Sequence, residues 1–427
     1  MAQYFSRLSA HRIGIVSTRF NGTDGVSLET QKWAHVLDGF GQKLFYFAGE
    51  CDQPEDVSFV VPQVHFKHPE IWEISKIAYS EILRSPEMSS KVHTLAEYIK
   101  TQLYAFKKKF GLDMLLIENA LSIPMNIPLG IALTEFIAET NIPTIAHHHD
   151  FYWERQRYLV NCVGDYLEAA FPPRMPSIHH VVINSIAGSQ LAWRQGLSSW
   201  LVPNVMDFDN PPPKSDGYTA NLRADLKIPD SDYFFLQPTR VVSRKGIEHA
   251  IELVKRLGLK ISLVISHEVG DEGYDYQRHV DEFANMLQTP ITYVSEQIGR
   301  QRGTTSDGKK IYALGDLYPE ADLVTYPSLL EGFGNAFLEA VYYSRPILVN
   351  NYTIYATDIR TKGFHAVEFD GFITDQVVDE VRSLLNHPDQ VEKMVQENYS
   401  LAKKYFSYTI LERQLYALLH SCFGDEG

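Results

Sequence analysis

The sequence predicts an α/β protein of two doubly wound domains, each a parallel sheet with helices on both faces, turned toward each other across a cleft. Three observations carry the prediction. Short apolar runs rich in β-branched and aromatic residues alternate with helix-periodic stretches along nearly the whole chain, as strands joined by crossover helices do. At 427 residues the chain is longer than one hydrophobic core normally supports. Near its middle, Pro211, Pro212 and Pro213 stand in a polar setting that continues neither strand nor helix.

Taken in order, the first half should form strands at "RIGIVST", "KLFYFAG", "DMLLIE", "PTIAHH", "HVVINS" and "SWLVPN", with helices such as "LETQKWAHVLDGF" and "LGIALTEFIAET" between them. This places an N-terminal domain at residues 1–205 and an interdomain linker, around the prolines, at 206–225. The second half repeats the pattern with strands at "YFFLQPT", "ISLVISH", "ITYVSE", "DLVTYPS" and "PILVNN", and helices at "GIEHAIELVKRLG" and "NAFLEAVYYS". A C-terminal domain follows at 226–400. The stretch "LAKKYFSYTILERQLYALLH" has helical apolar spacing and no strand after it, so 401–427 is expected to end as a helix packing back on the N-terminal domain.

Composition narrows the function classes. Hydrophobic residues make up 44% of the chain, enough for filled cores, yet no apolar run approaches the ~18 residues that span a bilayer. The opening "MAQYFSRLSA" lacks the apolar core of a secretory signal, and Cys51, Cys162 and Cys422 form neither a CxxC pair nor a metal-ligand spacing. A cytoplasmic protein with structural cysteines is expected. The formal charge of −14, from 53 acidic against 39 basic residues, argues against nucleic-acid or anionic-membrane binding. Small molecules remain as partners, and composition leaves a homo-oligomer open.

In open parallel sheets ligands bind beyond the carboxyl ends of the strands, and here those positions are polar. In "RFNGTDGVSLETQ" a turn with Gly22 and Gly25 leads into a helix near Ser27, which lets an oxyanion approach backbone N–H groups. It is not GxGxxG, which disfavours a nicotinamide cofactor; a tight turn without a ligand is the plain alternative. In "AHHHDFYWERQR" alternation puts His147 and His149 on one face of a strand and His148 on the other. No spacing suggests a further metal ligand, so a tuned imidazole near a sugar or phosphate is expected at His149, against a histidine merely ending a strand. Arg155 and Arg157 could meet an anionic group or line a solvated face.

The second half carries the stronger pattern. "QPTRVVSRKGIEHA" sets Arg240 and Lys245 on a loop ending at Gly246, a guanidinium fork and a point charge suited to a diphosphate, with Arg244 ranked lower. In "SLLEGFGNAFLEA", Glu331 falls in the turn after a strand and Glu339 on the helix that "GFGN" opens, with N–H groups near Gly334 and Asn335 between them. Carboxylates accept paired hydrogen bonds from vicinal hydroxyls, so two of them flanking a phosphate-binding helix start fit a sugar nucleotide. Acids that merely favour the helix dipole are the alternative.

Together these stretches resemble the GT-B glycosyltransferases, and within them the large retaining family 4. The resemblance covers nearly the whole chain and rests on "TRVVSRKG", on the E-x7-E pattern in "LYPEADLVTYPSLLEGFGNAFLEA", on "RPILVNN" and on the closing "YFSYTILERQLYALL". Two departures stand out: "GTDG" replaces the frequent double glycine, and Thr239 stands where glycine usually precedes the arginine. The resemblance implies that Glu331 lies near the donor hexose, Glu339 holds the ribose, Arg240 and Lys245 bind the diphosphate, and Gly25 lies beside phosphate and acceptor. His149 would contact the donor sugar, with His148 in its place if the register slips.

"ENALSIPMNIPLGIALTEFIAETNIPTIAHHHDFYWER" and "NNYTIYATDIRTKGF" look most like the subgroup that makes compatible solutes, mannosylglucosyl-3-phosphoglycerate synthases first and sucrose-phosphate synthases more distantly. That resemblance implies a small, polar, phosphorylated acceptor met by Asn119, Ser122 and Asn126, with Arg19, Arg155 or Arg157 on its phosphate. It further implies hexosyl transfer with retention from UDP-glucose or GDP-mannose and no required divalent metal or other cofactor. A same-face displacement, with the leaving phosphate helping to deprotonate the acceptor, is expected because no carboxylate stands ready as a nucleophile. A GT-B phosphorylase or sugar-nucleotide epimerase, and a non-catalytic sugar-nucleotide sensor, are the rival readings.

Overall fold

The computed structural model describes residues 9–22, 25–213, 216–268 and 274–424. The chain divides into two compact units, one of residues up to Asn204 together with the segment from Thr409, the other Val205–Tyr408. The first unit is built on seven strands: β1 (Arg12–Val16), β2 (Lys43–Ala48), β3 (Ser58–Val60), β4 (Met114–Glu118), β5 (Thr144–His148), β6 (Ile178–Val182) and β7 (Trp200–Leu201). They lie in the order β3-β2-β1-β4-β5-β6-β7, and every pairing is parallel. The strands that "RIGIVST", "KLFYFAG", "DMLLIE" and "PTIAHH" predict are all present. β3 carries no sequence signal, because in three residues the buried position is Ser58 while Phe59 is half-buried and Val60 exposed, which gives no apolar period to read.

The second unit repeats the plan with β8 (Tyr233–Gln237), β9 (Ile261–Ile265), β10 (Ile291–Tyr293), β14 (Leu323–Tyr326), β15 (Ile347–Asn350) and β16 (Val367–Phe369), in the order β10-β9-β8-β14-β15-β16. Between β10 and β14 a small sheet forms from β11 (Ile298–Gly299), β12 (Gly303–Thr304) and β13 (Lys310–Ala313), a stretch to which the sequence assigns no element. In both sheets the order reverses beside the first strand of the unit, so β1 and β4 end together in one unit and β8 and β14 in the other. Crevices at such switch points are where open α/β sheets hold ligands.

Packing follows the expected layering. On one face of the first sheet Phe45, Phe47, Leu115 and Ile117 meet Phe106, Phe110, Leu133 and Phe136 from the helices Pro86–Phe110 and Ile127–Thr140. Each such side chain, fully buried, contributes roughly 2–3 kcal/mol. In the second unit Ile247, Ile251 and Val254, one face of the helix Ile247–Leu257, cover Phe235, Leu263 and Ile265.

Two expectations need correction. The stretch read as a linker, 206–225, belongs to the second unit: Met206 pairs with Ser407 as an isolated parallel bridge, its N–H donates to the Phe406 carbonyl at 2.9 Å, and Leu222–Asp225 is helical. The prolines end regular structure there without detaching the segment. The single terminal helix is instead two, Pro388–Phe406 and Tyr408–Phe423, broken at the buried Ser407. Apolar spacing runs through the break, so periodicity alone could not locate it. The last helix is counted with the first unit, where Phe423 stacks on His11 with ring centroids 3.6 Å apart. Among the described residues, no helix is long and apolar enough to cross a membrane.

Candidate active site

The polar residues of the first unit converge where β4 and β5 end. Parallel pairing puts Glu118 opposite His147, and strand alternation sends His147 and His149 to one side and His148 to the other. Glu118 is wholly buried, and its Oε2 lies 3.0 Å from both His147 Nδ1 and His149 Nε2. Burial alone would push its carboxyl up, but the two imidazoles hold it down to about 2. The pair of rings responds oppositely: burial lowers His147, whereas at His149 the bond and charge of Glu118 outweigh burial and raise it. His147 is fixed from behind by Trp33, stacked at 4.2 Å, and the His149 backbone N–H donates to Asn119 Oδ1 at 3.1 Å. His148 faces away onto His180, Nε2 to Nδ1 at 2.9 Å, inside the fold.

The rest of "HHHDFYWER" locks the loop after β5. Asn119 sits in the left-handed region at φ 60° and donates to Asp150, which in turn pairs with Arg155. Glu154 accepts the Phe151 N–H at 2.9 Å, and burial raises its carboxyl to about 7. Ser122 is buried and donates to Asn119 Oδ1 at 2.8 Å. Asn126 caps the helix Ile127–Thr140 by accepting from Leu129 N–H, and its amide donates to the carbonyls of Gln63 and Val64. Ser122 and Asn126, expected beside an acceptor, thus spend their polar groups on the fold. Arg155 is committed to Asp150; Arg157 is exposed over the Tyr158 ring and Arg19 lies over the Phe66 ring. Gly25 begins the helix Gly25–Gly39 with open space around it, and the neighbouring Thr23 and Asp24 of "GTDG" lie outside the described residues.

In the second unit the candidate groups gather at the ends of β8, β9 and β14. Glu331 pairs with Lys245 through Oε1 and lies 3.3 Å from Arg244 Nη1 through Oε2. Both members of the Lys245–Glu331 pair are largely buried; burial lowers the lysine, while for Glu331 the two cations overcome burial and lower the carboxyl. Arg240 is exposed, close enough for its charge to act on Lys245 and on His267, whose imidazole burial and these cations depress to about 4. The loop is shaped by Gly246, at φ 56°, where a Cβ would come within 2.7 Å of the Pro327 carbonyl. Arg244, ranked below Arg240 and Lys245, is therefore the second cation on Glu331, a pairing across 87 residues that sequence spacing does not show.

After Glu331 the chain turns at Gly334, φ 131°, into the helix Asn335–Tyr342. A Cβ at Gly334 would fall 2.2 Å from the Tyr352 hydroxyl, which donates to Phe333 O. Glu339 lies one turn beyond Asn335 and accepts from the Tyr318 hydroxyl at 2.6 Å. Glu331 and Glu339 thus flank a helix start, as the spacing predicts, each held by its own partner. Chemically, the second unit offers two cations on Glu331, a third acting on Lys245, and a helix start four residues after Glu331, features suited to an anion. The first offers an imidazole whose orientation a buried carboxylate fixes.

Residues 306–401 match the family described as "Glycosyl transferases group 1". The chain is 33% identical over 383 residues to the mannosylglucosylglycerate synthase of Petrotoga mobilis, covering 83% of this chain and 86% of that one. It is 30% identical over 437 residues to the mannosylglucosylglycerate synthase of Thermotoga maritima, covering 94% and 98%. Among solved structures, sucrose-phosphate synthase from Thermosynechococcus elongatus superposes with a TM-score of 0.67 over 97% of this chain and 99% of that one, at 14% identity.

Proposed function

From the premise that the chain belongs to the group 1 glycosyltransferases, in one family with the mannosylglucosylglycerate synthases, we propose that this transferase moves mannose from GDP-mannose to glucosylglycerate or a close analogue, retaining the anomeric configuration. The observation that carries the proposal is identity spread over nearly the full length of two relatives whose product bears a carboxylate and no phosphate. The first unit supports it. Of the three arginines expected on an acceptor phosphate, Arg155 is already paired with Asp150. A carboxylate asks for less positive charge than a phosphate dianion, and Arg19 or Arg157 alone would meet it.

In this reading Arg240, Lys245 and Arg244 hold the donor diphosphate and offset the charge that builds on it as the glycosidic bond breaks, with no metal needed at that place. Glu331 orients the hexose once a ligand's phosphates take over its cations. Glu339 accepts from the ribose hydroxyls, and His149, aimed by Glu118, donates to the transferred sugar. The test is a matrix of GDP-mannose and UDP-glucose against glucosylglycerate, its 3-phosphoglycerate counterpart and fructose 6-phosphate, followed by nucleotide release. Acceptor-dependent release of GDP with glucosylglycerate is expected. Turnover only with a phosphorylated acceptor, or only with UDP-glucose, would overturn the assignment; release with phosphate and no acceptor would favour a phosphorylase.

A further inference from the structure

The cluster of Glu118, His147 and His149 has features that a plain hydrogen-bonded triad does not explain. Glu118 is fully buried, and its only ion-pair partners are the two imidazoles; no lysine or arginine reaches it among the described residues. Its second oxygen, Oε1, is buried and accepts no hydrogen bond. A buried carboxylate normally needs a cation or a full set of donors. The surroundings add negative charge, since Glu29, itself buried, acts on both rings, and Asp150 acts on His149. Lys32 and Arg155 are engaged by Glu29 and Asp150.

The three candidate ligand atoms lie within 4.8 Å of one another, and the two nitrogen-to-oxygen separations are 3.0 Å. Around an ion with bonds of roughly 2.0–2.2 Å, tetrahedral ligand edges are about 3.3–3.6 Å, so both nitrogen-to-oxygen edges would open by only a few tenths of an ångström. The rings are also held in advance, His147 by Trp33 and His149 by its backbone bond to Asn119. His149 keeps 10% of its side chain exposed, which gives an ion a way in and a coordination position to be filled by solvent.

We propose that Glu118, His147 and His149 form a binding site for a first-row divalent transition ion such as zinc, which ties the ends of β4 and β5 together. Two imidazole nitrogens and one carboxylate oxygen suit such an ion better than magnesium or calcium, which prefer oxygen alone. The site is separate from the donor diphosphate groups and does not depend on which hexose is transferred.

The full chain, freed of metal with a chelator, would be titrated with zinc by calorimetry and with cobalt by visible absorption. Saturable, stoichiometric zinc binding is expected, with a rise in melting temperature and cobalt d–d bands of a four- or five-coordinate nitrogen and oxygen site. His149→Gln, at the most exposed of the three ligands, should weaken zinc binding at least ~10-fold while circular dichroism stays unchanged. Arg157→Ala, away from the cluster, should bind as the unaltered chain does. Absence of saturable binding to the folded chain, or binding that His149→Gln leaves intact, would overturn the proposal and leave the triad as a purely hydrogen-bonded one. Either result stands apart from the sugar-transfer assay, because neither reads activity.

Discussion

Lys245 and Glu331 illustrate how a ligand-ready charge is stored in a folded protein. Each would be unfavourable alone in its buried place; together, with Arg244, they keep each other ionised. Removing one partner leaves the other uncompensated, which costs about 3–5 kcal/mol for a buried pair. Glu331→Gln should therefore lower unfolding stability by about that amount, because Lys245 is left buried without a counter-charge while the more exposed Arg244 can turn to solvent. Arg240 is exposed, and Arg240→Ala should change stability by no more than about 0.5 kcal/mol. Its loss should nevertheless reduce kcat at least ~10-fold, because a charge that acts on the leaving diphosphate matters only in the reaction. Urea unfolding beside steady-state kinetics checks both; equal stability losses in the two variants would contradict the division of roles. Glu331, Arg240 and Lys245 could be picked out in sequence because charge type and spacing state the chemistry. Arg244 ranks below them and Glu118 carries no role, since what singles out these two is burial and a partner far along the chain.

At the scale of elements, the turns after strands do most of the positioning, and several residues singled out as ligand contacts turn out to build those turns. Asn126 is the clearest. Its side chain caps one helix and ties it to the Gln63 and Val64 carbonyls, a role that the residue type signals, since asparagine before an apolar helix is a strong cap. Asn126→Ala should cost about 1–2 kcal/mol in thermal or urea unfolding and leave KM for the acceptor within about twofold. A large rise in KM with little loss of stability would assign Asn126 to the acceptor instead. Strand and helix existence was readable because β1, β2 and β8 are continuous runs buried on both faces and their helices keep a 3.6-residue apolar period. The three-residue β3 and β16, the small sheet β11–β13 and the helix break at Ser407 were not, because pairing and packing fix them while local pattern is silent.

For the whole molecule, the same strand order appears twice, so the ends of β1 and β4 and the ends of β8 and β14 are equivalent places in two units. The first unit concentrates hydrogen-bonded carboxylate and imidazole beside that place, at the ends of β4 and β5; the second concentrates cations and a helix start. This division matches what a sugar nucleotide and a hydroxylic acceptor require, and it was legible because the polar residues follow the strands in sequence. The identity of the acceptor was not, since which arginines are left to meet an anion depends on pairings such as Arg155 with Asp150, which the residue types do not state. The most direct test of the account is the NMR spectrum of the product formed from GDP-mannose and glucosylglycerate. The account predicts a new mannosyl linkage with the donor's anomeric configuration. An inverted linkage, or free mannose with the acceptor untouched, would contradict it.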